Sequence, residues 1–136
     1  MSPDQTFGVY DDLWIMLIDD DEMTNMIHEA IIKRLDERIH ITSFQSAEAA
    51  LAYLSSHTCP WPNVIFLDIN MPVMDGWDFL ESYRKLHRRT QLHMLTSSID
   101  PQDMIRAQTY REVHGFISKP LSLKMLRSTL ERLPTE

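Results

Sequence analysis

Cysteine, glycine and positive charge are all scarce in this chain. Cys59 is the only cysteine, which excludes an internal disulfide and any CxxC zinc site. The histidines, His28, His40, His57, His87, His93 and His114, include no HxxxH or similar close ligand pair. All six are therefore expected at surface or edge positions. With 3 glycines in 136 residues and no Ser/Gly run, nothing marks a flexible linker. The longest apolar stretches, residues 14–18 and 64–67, are far too short to span a bilayer. The start, Met1-Ser2-Pro3-Asp4, has neither a basic region nor an apolar run behind it, so no signal peptide is visible. The expected compartment is the cytoplasm. Lys and Arg number 13 against 20 Asp and Glu, a net charge of −7. Phosphate backbones and anionic membranes need basic patches, so neither is an expected partner. The one basic cluster, Arg84-Lys85 with Arg88-Arg89, reads as the solvated end of a helix, where it suits the helix dipole.

What is present is an alternation of short apolar runs with helical periodicity. Residues 14–18, 39–44, 64–67, 92–95 and 113–117 read as strands, the first and third as continuous apolar runs covered on both faces. Between them come helices. Met23, Met26, Ile27, Ala30, Ile31 and Leu35 form the expected face of the first. Ser46 caps a second with Ala47, Ala50, Leu51 and Leu54 inward. Phe79, Leu80, Tyr83 and either Leu86 or His87 mark a third. Asp100-Pro101 starts a fourth, with a cap followed by proline at the first helical position. Ser122 opens the last, with Leu123, Leu126, Leu130 and Leu133 on one side. Five β-α units in strict alternation predict an α/β fold, a five-stranded parallel sheet with helices on both faces. Ligands of such sheets bind at the carboxyl ends of the strands.

Those ends carry chemistry. Strand one ends in Asp19-Asp20-Asp21, strand three in Asp68, strand four in Thr96, and strand five in Lys119-Pro120. Singly, each is an ordinary cap or loop residue; together they converge on one edge. Crowded carboxylates repel unless a cation intervenes. A hard divalent ion such as Mg²⁺, which takes a few carboxylates plus water and phosphate oxygens, meets that need. Metal, lysine and an in-line carboxylate suit phosphoryl transfer, and a hydroxyl such as that of Thr96 can bond a transferred phosphoryl oxygen. No Walker loop is present, so ATP is not the expected donor.

These residues carry a family resemblance. The runs Ile18-Asp19-Asp20-Asp21, Phe66-Leu67-Asp68-Ile69-Asn70-Met71-Pro72-Val73-Met74-Asp75-Gly76, Leu95-Thr96-Ser97 and Ser118-Lys119-Pro120 resemble the receiver domains of bacterial two-component response regulators. The resemblance spans about Trp14 to Leu133 and implies the doubly wound, flavodoxin-like order 2-1-3-4-5. It makes Asp68 the phosphoacceptor, Asp19 and Asp20 the acidic pair that helps hold Mg²⁺, and Asn70 the source of a backbone carbonyl for the metal. It makes Thr96 and Lys119 the groups that meet the phosphoryl oxygens, and Phe116 the switch aromatic. A cis Lys119-Pro120 bond is plausible. Asp75-Gly76 reads as a structural turn and helix start, Asp21 as a solvated residue opening the first helix, and Ser97 as the small neighbour that keeps the site accessible. The stretch 110–114 lacks the Gly-Ala often found before the aromatic, which leaves the loop before strand five undefined.

The resemblance also implies partners: a sensor histidine kinase or histidine phosphotransfer protein as donor, and a downstream protein target. The expected organisation is a lead-in at residues 1–12, a receiver at 13–133 and a tail at 134–136, with no output domain, no direct DNA binding, and a monomeric or weakly dimeric state. Such a domain is a phosphoacceptor rather than an enzyme. Two rivals are a phosphatase of the haloacid-dehalogenase type, whose nucleophile would be Asp19, and a degenerate receiver that only binds.

Overall fold

A computed structural model describes residues 10, 12–56, 60–88, 90–97 and 99–133. Cys59, His57 and most of the lead-in and tail lie outside the described residues. The strands are β1 (Trp14–Ile18), β2 (His40–Phe44), β3 (Val64–Asp68), β4 (Gln91–Thr96) and β5 (Val113–Ser118). They alternate with α1 (Glu22–Leu35), α2 (Ala47–Ser55), α3 (Gly76–Tyr83), α4 (Pro101–Ala107) and α5 (Leu123–Glu131). The strands pair in parallel in the order β2-β1-β3-β4-β5, as expected.

Side-chain alternation divides the sheet between two cores. Met16, Ile18, Ile65, Leu67 and Met94 pack with Ala47, Ala50 and Leu54 of α2 and Phe79, Leu80 and Tyr83 of α3. Ile15, Leu17, Phe66, Leu95 and Ile117 pack with Ile32 of α1 and Leu126 and Leu130 of α5. Every strand residue from Ile15 to Ile18 and from Val64 to Leu67 is thereby buried, which is why those runs are continuously apolar. The predicted caps form: Ser46 Oγ accepts from Ala49 N, Asp100 Oδ1 from Gln102 N, and Ser122 Oγ from Met125 N. After α3 a 3-10 turn, Arg84–Leu86, leaves Leu86 half-buried and His87 exposed in the left-handed region, so Leu86 completes the stripe. Arg84 and Arg88 are solvent-facing, as expected for that basic cluster, yet each lies over an aromatic ring, Tyr110 and Trp61.

Two expectations fail. On α1 the buried residues are Asn25, His28 and Ile32, while Met23, Met26 and Ile27 are exposed. Apolar residues occur all round this helix, so periodicity alone does not select the inward face. Second, His28 and His93 are each only 1% exposed, so not all histidines are at the surface. His93 lies on β4 against Phe66 and His114, and a Cβ on Gly115 would collide with its ring, so glycine is what lets β5 pass. The loop before β5 is a turn closed by Val113 N to Tyr110 O at 3.2 Å. It is followed by a register shift between Leu92 and His93, where His114 Nδ1 accepts from Leu92 N at 3.2 Å.

Burial holds the His93 imidazole down at about 4, with the charges of His114 and Arg132 acting in the same direction. The folded protein thus keeps His93 neutral where the unfolded chain, near 6.5, takes up a proton. Its contribution is complete above 6.5 and is lost as pH falls toward 4, by about 3 kcal/mol in all. Urea melts at pH 7 and pH 4 should therefore show a stability loss smaller by about that amount in His93→Gln than in the unsubstituted protein.

Candidate functional site

Strand register brings the predicted positions to one edge of the sheet, and the side chains of Asp19, Asp68 and Lys119 to one side of it. Ile18 pairs with Leu67, Asp68 with Leu95, and Thr96 with Ser118, so the strands end level. The ladder continues one step further: Asp19 N donates to Phe44 O at 3.0 Å, Ile69 N to Leu95 O at 3.2 Å, and Lys119 N to Thr96 O at 2.7 Å. Asp19, Asp68 and Lys119 each follow by two residues a side chain of the α1/α5 core (Leu17, Phe66 and Ile117), so they share one side of the sheet. Thr96 instead follows Met94, and Phe116 packs half-buried against that opposite core. The Lys119-Pro120 bond is cis.

Lys119 Nζ lies 2.9 Å from Asp19 Oδ2 and 3.4 Å from Asp68 Oδ1. Asp19, Asp68 and Thr96 are buried, whereas Asp20 is exposed. Asp19, Asp20 and Asp68 each offer a carboxylate oxygen, all within 4.8 Å of one another, a group that could hold a metal ion. Burial, and then the charge of Asp19, push the Asp68 carboxyl up to about 6, against the pull of Lys119 and of the Asn70 N–H. For Lys119, burial acts downward, but the hydrogen bond to Asp19 and the charges of Asp68 and Asp19 outweigh it and raise its pKa. The pocket is therefore short of positive charge. One ammonium faces three acids, and an oxygen-only donor set of this kind suits a hard divalent cation.

The segments around the acids are built by local bonds. Asp21 caps α1, accepting from Met23 N at 3.0 Å, in the structural role expected of it. Asp75 and Asp78 form a reciprocal capping box that starts α3. Asn70 is exposed and its N–H points at Asp68 Oδ1, 3.3 Å away. Val73, fully in solvent, has φ 69, an uncommon setting for a β-branched residue. Ser97 is exposed beside the site. A Cβ on Gly76 would stand 2.9 Å from both the Asp68 carbonyl oxygen and Ile69 Cα, which are backbone and cannot swing away. Gly76→Ala should therefore cost about 1–3 kcal/mol in urea unfolding, by forcing the end of β3 off its position.

Two residues near the site carry no apolar signal. Asn25 Nδ2 donates to Asp19 O at 3.1 Å and to Phe44 O at 3.3 Å, and His28 Nε2 accepts from Leu121 N at 3.2 Å. Their three-residue spacing, in phase with Ile32, is the sequence trace of this polar stripe.

Comparison with known proteins agrees with this arrangement. A model of the response regulator receiver domain matches residues 15–131. The chain is 30% identical over 128 residues to the probable methanogenesis regulatory protein FilR2 of Methanothrix harundinacea, covering 88% of this chain and 79% of that protein. It is 30% identical over 95 residues to hybrid signal transduction histidine kinase D of Dictyostelium discoideum, which covers 65% of this chain but only 6% of that much longer protein. A solved two-component response regulator from Cytophaga hutchinsonii superposes with a TM-score of 0.82 at 29% identity, covering 90% of this chain and 96% of that one. With a sheet, register and acid cluster of this kind and a family match along nearly its whole sheet, the chain belongs to the response regulator receiver domains, signalling modules of two-component phosphorelays.

Proposed function

We propose that Asp68 accepts a phosphoryl group from a phosphohistidine of a sensor histidine kinase or histidine phosphotransfer protein. The observation that supports this most directly is the placement of Lys119 Nζ between Asp19 Oδ2 and Asp68 Oδ1, 2.9 and 3.4 Å away, at a three-acid cluster. An Asp68 oxygen attacks phosphorus in line as the P–N bond breaks. The donor imidazole, protonated on its other nitrogen, leaves neutral with the electron pair. Asp19, Asp20, Asp68 and the Asn70 main-chain carbonyl would hold Mg²⁺. When bound, that ion offsets the crowded carboxylates and the charge on the phosphoryl oxygens. Lys119 then passes from the Asp68 carboxylate to a phosphoryl oxygen, the Thr96 hydroxyl donates to another, and Phe116 turns inward. The same groups assist later loss of the phosphoryl group to water.

The outcome is a population shift in the surface formed by α4, β5 and α5, which a downstream protein reads. Exposed Met104 and Ile105 on α4 favour a protein reader. Exposed Met23, Met26 and Ile27 on α1, together with Val73, occupy the segments that follow the acids, which favours a protein donor over a small one. Among the described residues no helix is long and apolar enough to cross a membrane. We place the protein in the cytoplasm as a monomer or weak dimer, without direct DNA contact, its receiver spanning residues 13–133.

Mass spectrometry after incubation with acetyl phosphate and Mg²⁺ tests the reading: one phosphoryl mass is expected, mapping to Asp68. A label on Asp19 would instead indicate a haloacid-dehalogenase-type phosphatase. No label together with no measurable Mg²⁺ binding would leave a module that only binds.

A further inference from the structure

Burying an imidazole without need is costly, since its polar nitrogens lose water. An aliphatic side chain at position 28 would match the neighbouring Ile32, Leu121 and Leu126, all buried in the same core. What His28 supplies is an acceptor. Pro120 has no N–H, so Leu121 provides the first main-chain donor after Lys119. That N–H lies in the protein interior, and His28 Nε2 receives it at 3.2 Å. Three residues earlier on the same helical face, Asn25 ties down the carbonyl of Asp19 and that of Phe44. One stripe of α1 therefore grips both ends of the ion pair: the backbone of Asp19 through Asn25, and the loop bearing Lys119 through His28.

We propose that His28 is the positioning residue for Lys119, its unprotonated Nε2 holding the Leu121 amide so that the loop presents the ammonium between Asp19 and Asp68. The assignment rests on the phosphoacceptor reading above. His28 itself touches no reacting atom; it acts through two peptide units. Lys119 N is tied to Thr96 O at 2.7 Å on one side. Releasing the anchor on its other side frees the peptide that follows, and the long, flexible lysine chain then spreads Nζ over positions from which it cannot meet a phosphoryl oxygen. Displacements of about 1 Å at such a group are enough to slow a transfer step by one to two orders of magnitude.

The test compares phosphorylation by acetyl phosphate with Mg²⁺ in the unsubstituted protein, His28→Leu and His28→Gln, each rate normalised to the folded fraction. His28→Leu keeps bulk and loses the acceptor, and should label roughly tenfold or more slowly. His28→Gln can accept from Leu121 N through Oε1 and should recover to within about threefold of the parent rate. Mg²⁺ affinity should not fall in either variant, since the acids are untouched and a displaced ammonium competes less for them. A merely structural histidine predicts equal normalised rates, and that result, or a glutamine variant as slow as the leucine one, overturns the proposal. Should His28→Leu not fold, the nitrogen spectrum of the unsubstituted protein decides. A pyridine-like His28 Nε2 and a Leu121 amide protected from exchange are required, and a protonated Nε2 overturns the assignment. If the unsubstituted protein takes no label at all, it is the phosphoacceptor reading that fails, separately from this one.

Discussion

Asp68→Asn should abolish acyl phosphate formation and, at neutral pH, make the protein harder to unfold. The first effect follows from chemistry: an amide oxygen is a far weaker nucleophile than a carboxylate, and no second acid in the cluster is placed to replace it under the proposed mechanism. The second follows from the site's electrostatics. Burial, then Asp19, raise the Asp68 carboxyl from 3.8 to about 6, so the fold disfavours its charged form. A group raised in this way contributes its stability below 3.8 and loses it as pH rises through about 6. At pH 7 the charged carboxylate therefore costs about 2–3 kcal/mol relative to an ordinary one. Asparagine keeps the shape without the charge, and Lys119 retains Asp19 as its partner at 2.9 Å. Urea melts without Mg²⁺ should show Asp68→Asn more stable than the parent at pH 7, with the gap closing toward pH 4. A destabilised Asp68→Asn at pH 7 would mean that the carboxylate is a net structural asset and that the crowding argument is wrong. Continued labelling of that variant would displace Asp68 as acceptor.

Lys119→Ala should lower the rate of labelling by acetyl phosphate about 10²–10³-fold, the usual scale for losing one preorganised charge at a developing anion. Among the described residues the ammonium is the one cation in contact with Asp19 and Asp68, through bonds of 2.9 and 3.4 Å. Its removal also exposes the acids to one another. Mg²⁺ affinity, read by calorimetry, should therefore rise rather than fall, because a competing positive charge has gone. The combination of tighter metal binding and slower labelling separates loss of Lys119 chemistry from collapse of the pocket, in which both would weaken. Equal labelling rates would remove lysine from the transfer step.

The architecture was legible because strands buried on both faces read as unbroken apolar runs and because caps such as Ser46, Asp100 and Ser122 are local chemistry. The place of the candidate site was legible for a related reason: Asp19, Asp68, Thr96 and Lys119 each directly end or follow a strand, and parallel strands that end level bring such positions to one edge of the sheet. What sequence could not supply was the orientation of α1. Met23, Met26 and Ile27 outweigh Asn25 and His28 in hydrophobicity, yet the polar pair turns inward because main-chain groups at Asp19, Phe44 and Leu121 need partners there. Those needs arise from strands and loops far away in sequence, and periodicity within one helix carries no record of them. His93 was missed on similar grounds. Its burial depends on Gly115 of a neighbouring strand leaving room for a ring.

Under the proposed mechanism, acceptor and reader occupy different mechanical settings. Asp68 ends β3, which is clamped by β1 on one flank and β4 on the other, so the place where the group is written hardly gives. β5, with Phe116 and the approach to Lys119, is the outermost strand and is zipped to β4 alone, with a slip in that zip near its start. Shifting it breaks contacts along a single seam. Beside it α4 is anchored by one buried residue, Ala107, and can yield with it. On that mechanism, a message entered at a strand clamped on both flanks leaves by an edge strand held along one seam.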